Sequence, residues 1–227
     1  MKKWSFLFTL FISAISFAQQ DSVLKKKDRK RDVALETTMG TMVIRLSDST
    51  PLHRDNFLKL VKIGYYDSIL FHRVIKDFMI QAGDPNSKTS ATGQPLGSGG
   101  PGYRVPAEFR QTLFHKKGVI AAARDNNPEK ASSGSQFYIA QGKKYSDAGL
   151  DSMENNRLQG RKIPPLYRDA YKTIGGIPHL DQNYTVFGEV VRGIEVIDKI
   201  AAVHTGSGNR PVTDVKIIKA KLVKRKR

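Results

Sequence analysis

The chain has 227 residues, no Cys, and a formal net charge of +17 from 38 Lys and Arg against 21 Asp and Glu. Its 39% apolar content suits one substantial core with appendages rather than two domains, and the lack of Cys excludes disulfide staples and a lipid-attachment thiol. The charge admits nucleic acid, an anionic membrane or a plain solvated surface, so its position along the chain has to decide.

In chain order, Met1-Lys2-Lys3 and the apolar run Trp4 to Phe17 read as a signal peptide over 1–18, too short for a comfortable membrane span. Ser16 and Ala18 are the small residues before a cut ahead of Gln19. The expected location is exported, with the periplasm first and a secreted or envelope-associated protein as the alternative. Residues 19–32 are polar and dense in Lys and Arg, which predicts a flexible basic linker.

Val33 and Leu35, then Met42, Ile44 and Leu46, alternate across Gly40 and predict a hairpin that opens a domain over 33–223. Ser49 or Thr50 can cap a helix from Pro51, in which Phe57, Leu58, Leu60 and Val61 recur at helical spacing before Gly64 stops it. Short strands are predicted over 70–75, 78–81, 118–123, 136–140, 185–190 and 215–223, with a second helix over 193–201. From about 143 to 176 the chain is polar, Lys-rich and broken by Pro164-Pro165. It reads as an insertion, either a surface excursion with some helix or a partner-docking element. Residues 224–227 form a basic tail. Many short strands with two helices predict an all-β-dominated fold, a small closed barrel rather than alternating β/α units.

The basic ends carry no interleaved aromatics and no RNA-binding motif, so no specific nucleic acid partner is expected. Weak contact with an anionic membrane surface is their functional reading, and solvation of the termini is the simpler one.

For chemistry, Phe71-His72-Arg73 is followed by Phe78-Met79-Ile80-Gln81 and Gly83-Asp84. On alternating strands Arg73 can share a face with pocket residues and set a fixed cation beside an apolar slot. His72 is expected to point to the other face and to pack or hydrogen-bond there. His53, His115 and His204 have no metal-ligand spacing, and each reads as structural or surface. Gly97 to Gly100 lacks the Lys and helix of a phosphate loop and reads as a turn beside the groove. No nucleophile, base and orienter triad emerges, and no metal or cofactor is called for.

Further blocks follow: Val119 to Arg124 (VIAAAR), Gly134-Ser135-Gln136-Phe137-Tyr138, and His179-Leu180-Asp181 leading to Val186-Phe187-Gly188. In this order and spacing the blocks resemble the cyclophilin family from about Asp32 to Val223, apart from the insertion. The resemblance implies an eight-stranded antiparallel closed β-barrel capped by two α-helices, with a substrate groove on its outer face. It implies peptidyl-prolyl cis/trans isomerase activity on Pro-containing unfolded or partly folded polypeptides, with no cofactor. It assigns the catalytic arginine to Arg73, the polar positioning group to Gln81, and the proline pocket to Phe78, Met79, Tyr138 and Leu180. Ala123 and Arg124 match the strand whose backbone holds the peptide, and Gln136 matches a groove-lining position. At Tyr138 many relatives have Phe, at His179 Trp, and at Tyr184 His, so the rim is altered while the arginine and slot are kept.

Overall fold

The structure, a computed structural model, describes residues 24–91 and 93–226. The expected signal peptide and the first part of the expected linker lie outside the described residues. The predicted hairpin is β1 (Arg31–Thr37) and β2 (Gly40–Leu46), joined by a two-residue turn whose ends pair as Thr37 with Gly40. The turn is pinned by the Thr37 hydroxyl, which donates to Gly40 O at 2.7 Å and accepts from Met39 N at 3.1 Å. Val33, Leu35, Met42 and Ile44 point inward and are fully buried, as the alternation requires.

Helix α1 (Pro51–Lys62) follows, with Pro at its first position and Phe57, Leu58, Leu60 and Val61 buried against the sheet. Thr50 precedes it as N-cap, but its hydroxyl makes no capping bond. Glu108, 56 residues away from Leu52, takes over by accepting from the Leu52 and His53 amides at 3.2 and 3.0 Å. The remaining strands are β3 (Arg73–Ile75), β4 (Met79–Ala82), β5 (Arg104–Val105), β6 (Val119–Ala122), β7 (Ser132–Ser133), β8 (Phe137–Ala140), β9 (Val186–Arg192) and β10 (Ile217–Lys224). Phe57, Tyr66 and Phe137 interlock in the core at centroid distances of 4.9 to 5.5 Å, each contact worth about 0.5–1.5 kcal/mol beyond area burial.

Two expectations about the barrel need correction. Eight strands form one antiparallel sheet in the order β10-β1-β2-β9-β6-β8-β4-β3, curled around the core as an open half-barrel, with β5 and β7 as a separate pair. No ladder joins the edges β10 and β3. Across that seam, among the described residues, Ser68 N and Phe71 N donate to Ile217 O and Val215 O, Ile217 N donates to Ile69 O, each at 2.8 Å, and Leu70 and Lys216 form an isolated bridge. Pairing is confined to a short stretch: Ser68 turns the chain at φ 67 just before it, and after Phe71 no backbone bond to β10 follows among the described residues, so the contact ends before β3 begins. The second correction is that four α-helices appear among the described residues rather than two. Helix α4 (Glu195–Ala201) was expected, whereas α2 (Asp147–Asn156) and α3 (Pro165–Thr173) lie in the 143–176 segment.

That segment has a small core of its own, formed by Leu150, Ile163 and Tyr171 with Phe114, Tyr145, Met153, Leu158 and Tyr167 around them. Ser146 caps α2 by accepting from Gly149 N at 3.1 Å, and Phe114 stacks on Tyr167 at 4.0 Å. Buried Glu154 ties the loop between the helices, accepting from Lys162, the Ile163 amide and Arg168 at 2.8, 3.0 and 2.9 Å. Lys162 first and the Ile163 amide next hold its carboxyl down to about 2, from 4.5.

The basic ends are also more ordered than their composition predicts. Within 24–32, Asp28–Lys30 forms a 3-10 turn, Leu24 packs on the core, and Arg31 already starts β1. Asp28 accepts from Lys62 Nζ at 2.7 Å, and Asp32, 1% exposed, is held by Arg45 at 3.0 Å and Arg225 at 3.1 Å. Arg225 and Lys226 of the expected free tail are thereby tied down, the latter by its carbonyl to Arg45 at 3.1 Å. The two interspersed carboxylates anchor this stretch to cations elsewhere in the chain, Asp28 to Lys62 and Asp32 to Arg45 and Arg225.

Candidate functional site

The short β3–β4 hairpin places the polar row. Arg73 pairs with Gln81 across it, and Gln81 pairs with Tyr138 on β8. Arg73 Nη1 lies 3.5 Å from Gln81 Oε1 and 3.8 Å from Met79 Sδ. Gln81 Nε2 donates to Gln136 Oε1 at 3.1 Å, and Gln136 Nε2 donates to the Gly97 and Gly99 carbonyls at 2.9 and 2.8 Å. The chain Arg73, Gln81, Gln136 therefore ends on the glycine loop, which is a turn flanking the groove as expected.

Asp84, fully buried, clamps that loop from behind: Oδ2 accepts from Gly97 N at 2.5 Å and from Gly99 N at 3.2 Å. Position 99 has to be Gly because a Cβ would overlap Asp84 Oδ1 and crowd Asn86. In front of the loop opens a cavity of ≈ 1010 Å³ lined by Gln81, Gly99, Tyr103, Ala123, Arg124 and Gln136, among others. An Arg104–Asp125 ion pair borders it. The loop clamp and this ion pair were not legible beforehand.

The apolar residues gather next to the row. Met79, Ala121, Ala123, Tyr138 and Val186 form a buried cluster, with Phe78, Leu180 and Tyr184 half-exposed on its rim, and Ala123 belongs both to this cluster and to the cavity wall. Phe78 is fixed by its backbone, because its carbonyl accepts from Gln141 N and Gly142 N at 3.0 and 2.9 Å. His179 lies parallel to Phe78 at 5.8 Å. Burial first, then the Arg157 charge, lowers the His179 imidazole to about 4, so at neutral pH it is an uncharged flat rim group. Tyr184 meets Tyr138 edge-on at 5.9 Å and carries the Arg124 guanidinium over its face at 4.7 Å.

The predicted site residues are thus grouped as a cation and two amides beside an apolar cluster, and of them Gln81, Ala123, Arg124 and Gln136 line the cavity. Comparison with known proteins gives this arrangement a context. The model of the family described as cyclophilin type peptidyl-prolyl cis-trans isomerase/CLD matches residues 32–222. The chain belongs to this family. It is 37% identical over 192 residues to a Staphylococcus haemolyticus protein described as a peptidyl-prolyl cis-trans isomerase, covering 84% of this chain and 90% of that one. It is 38% identical over 186 residues to a Streptococcus pyogenes protein described as a bifunctional phosphatase/peptidyl-prolyl cis-trans isomerase, over 81% of this chain and 37% of that larger protein. In fold it matches a Cryptosporidium parvum cyclophilin crystallised in the presence of the dipeptide Ala-Pro, with a TM-score of 0.63 and 23% identity, covering 86% of this chain and 99% of the other.

Within this cyclophilin site, one assignment narrows. Ala123 uses both backbone groups internally, its amide donating to Gln136 O at 3.0 Å and its carbonyl accepting from Ser133 N at 2.8 Å. Arg124 is the residue whose backbone N–H and C=O have no partner among the described residues, while its side chain is anchored on Asn183 at 2.9 and 3.1 Å. Of these two residues, Arg124 is therefore the one whose backbone can pair with a peptide strand.

His72 is buried at 4% exposure, and neither ring nitrogen makes a well-formed hydrogen bond. It packs as expected but gains little polar support: burial lowers it to about 4, with Asp84 and the Leu70 backbone only partly offsetting this. His53 and His115 are both buried in hydrogen-bond networks, and His204 is exposed.

A triad-like row does exist, contrary to the sequence reading: Ser132 Oγ is 3.0 Å from His53 Nε2, and His53 Nδ1 is 2.7 Å from Glu108 Oε2. These three side chains are 2 to 5% exposed, and the Glu108 carboxylate also caps α1. With no approach for a substrate, the row acts as a strut between α1 and β7. Partners separated by 55 and 79 residues leave no local sequence signal.

Proposed function

We propose that this cyclophilin isomerises X-Pro peptide bonds of exported polypeptides and so assists their folding, with Arg73 as catalytic residue. Rotation about a peptide bond costs ~18–20 kcal/mol, and X-Pro bonds populate both isomers. As the bond twists, the prolyl nitrogen loses conjugation, becomes pyramidal and gains basicity. A guanidinium donating to it stabilises the twisted state more than either planar state. No bond breaks and no proton has to leave the enzyme.

In this reading Phe78, Met79, Tyr138 and Leu180 hold the pyrrolidine ring, and Ala123 forms the shared wall. Gln81 steers the carbonyl before proline while Gln136 holds Gln81. The free backbone groups of Arg124 extend the bound peptide, and His179 and Tyr184 border the slot. The observation that carries the reading is the placement of Arg73 and Gln81 3.5 Å apart beside the apolar cluster. The Ala-Pro dipeptide present with the Cryptosporidium relative supports proline-containing peptides as ligands. Export rests on the N-terminal apolar run alone.

The test is isomerisation of a proline peptide by the wild type and by Arg73→Ala. The variant should lose about 10²- to 10³-fold in kcat/KM, mainly in kcat, as when one transition-state donor is removed. An unchanged rate would remove Arg73 from the mechanism.

A further inference from the structure

The 143–176 segment does more than decorate the surface. Tyr171 on α3 is fully buried and donates from its hydroxyl to Asp181 Oδ2 at 2.6 Å. Asp181 Oδ1 accepts from the His115 amide at 2.8 Å and lies 2.9 Å from His115 Nδ1. A carboxylate oxygen at that distance accepts from Nδ1–H, which leaves Nε2 as an acceptor. Tyr138 fills it, its hydroxyl 2.8 Å away. Burial raises both phenols well above 10, so both remain donors.

The row therefore runs Tyr171, Asp181, His115, Tyr138, with a donor facing an acceptor at every step, and it ends on a ring of the apolar cluster assigned above to the proline pocket. The His115 and Tyr138 rings lie nearly parallel, 6.0 Å apart. The backbone reinforces the row, because Ile177 N donates to His115 O at 2.8 Å and Gly176 bridges to both Lys116 and Lys143. A Cβ at Gly176 would overlap His115 O and the Tyr171 ring.

We propose that the 143–176 segment is a positioning element of the proline slot, which fixes the Tyr138 ring through Asp181 and His115, with Tyr171 as its positioning residue. This rests on the isomerase reading of the slot. The segment is then not a detachable docking arm, and residues 145–175 cannot be removed without loosening the slot floor. An Asp181 carboxylate short of one donor can rotate, His115 follows, and the Tyr138 ring gains freedom that a bound proline must remove again.

The experiment uses the full chain with Tyr171→Phe, Tyr138→Phe and the double variant, assayed well below their melting temperatures. Each single change removes one hydroxyl and keeps its ring. The expected result is a KM for a proline peptide raised about three- to tenfold in each single variant, the range of one lost hydrogen bond, with kcat within about twofold. The double variant should be no worse than the weaker single one, because both cut the same row. Asp181→Asn should reproduce the KM effect.

A purely structural role predicts a lower melting temperature with KM unchanged, and that result overturns the proposal, as do single effects that multiply in the double variant. Ring resonances of 13C-labelled Tyr138 give an activity-independent readout and should shift in Tyr171→Phe but not in Arg73→Ala. An inactive wild type would refute the isomerase reading, while an unmoved Tyr138 signal would refute this one.

Discussion

His72 makes the fold sensitive to acid, by an amount that follows from its surroundings. Its imidazole is 4% exposed, lacks a well-formed hydrogen bond on either nitrogen, and is lowered by burial from 6.5 to about 4. A histidine whose folded value is depressed binds fewer protons when folded, so its contribution is complete above 6.5 and is lost as pH falls toward 4. Integrated over that window, the single group costs about 2 kcal/mol by pH 5 and about 3 kcal/mol by pH 4 relative to pH 7. His72→Phe replaces the ring with one of similar shape that cannot charge. Urea unfolding of both proteins at pH 7 and pH 5 isolates the term, because His179, His53 and the carboxylates are common to both. The variant should lose about 2 kcal/mol less than the wild type between the two pH values. Equal losses in both proteins would refute the account of His72 as a neutral buried ring.

Gly99→Ala should displace the glycine loop, since its Cβ overlaps Asp84 Oδ1. About 1–3 kcal/mol of stability should be lost, and KM for a proline peptide should rise, measured by urea unfolding and the isomerase assay together. Glu154→Gln should loosen α2 and α3 at neutral pH. In the wild type the same loosening should set in only as pH falls below 4.5 toward 2, read as faster amide hydrogen exchange in residues 147–173. Tyr171→Phe should raise KM without a matching fall in kcat.

Much of the fold was legible because the apolar periods are clean. Val33, Leu35, Met42 and Ile44 give the hairpin, Phe57 to Val61 give α1, and Val196, Ile197 and Ile200 give α4. Closure of the barrel was not legible, because it is decided by how short a stretch, residues 68–71, pairs with β10, and no apolar period records that length. Helix α2 has few apolar residues of its own, and the cluster it joins includes Phe114 from another part of the chain. At the site, Arg73, Gln81, Phe78 and Met79 sit within nine residues, so one stretch of sequence carried them. The supports of that stretch, Asp84 behind the loop and His115 behind Tyr138, depend on contacts over 13 to 66 residues and show no period. Composition also counts charges without their partners, and the ties of Asp28 to Lys62 and of Asp32 to Arg45 and Arg225 show no local pattern.

The central claim is that a fixed guanidinium beside the slot catalyses the twist of an X-Pro bond. Its most direct test compares Arg73→Ala and Arg73→Lys with the wild type by exchange NMR on a single proline peptide, which reads binding and isomerisation separately. Both variants should bind the peptide within about threefold of the wild type, while the on-enzyme isomerisation rate falls by about 10²-fold or more in each. Isomerisation at the wild-type rate on either variant would contradict the account.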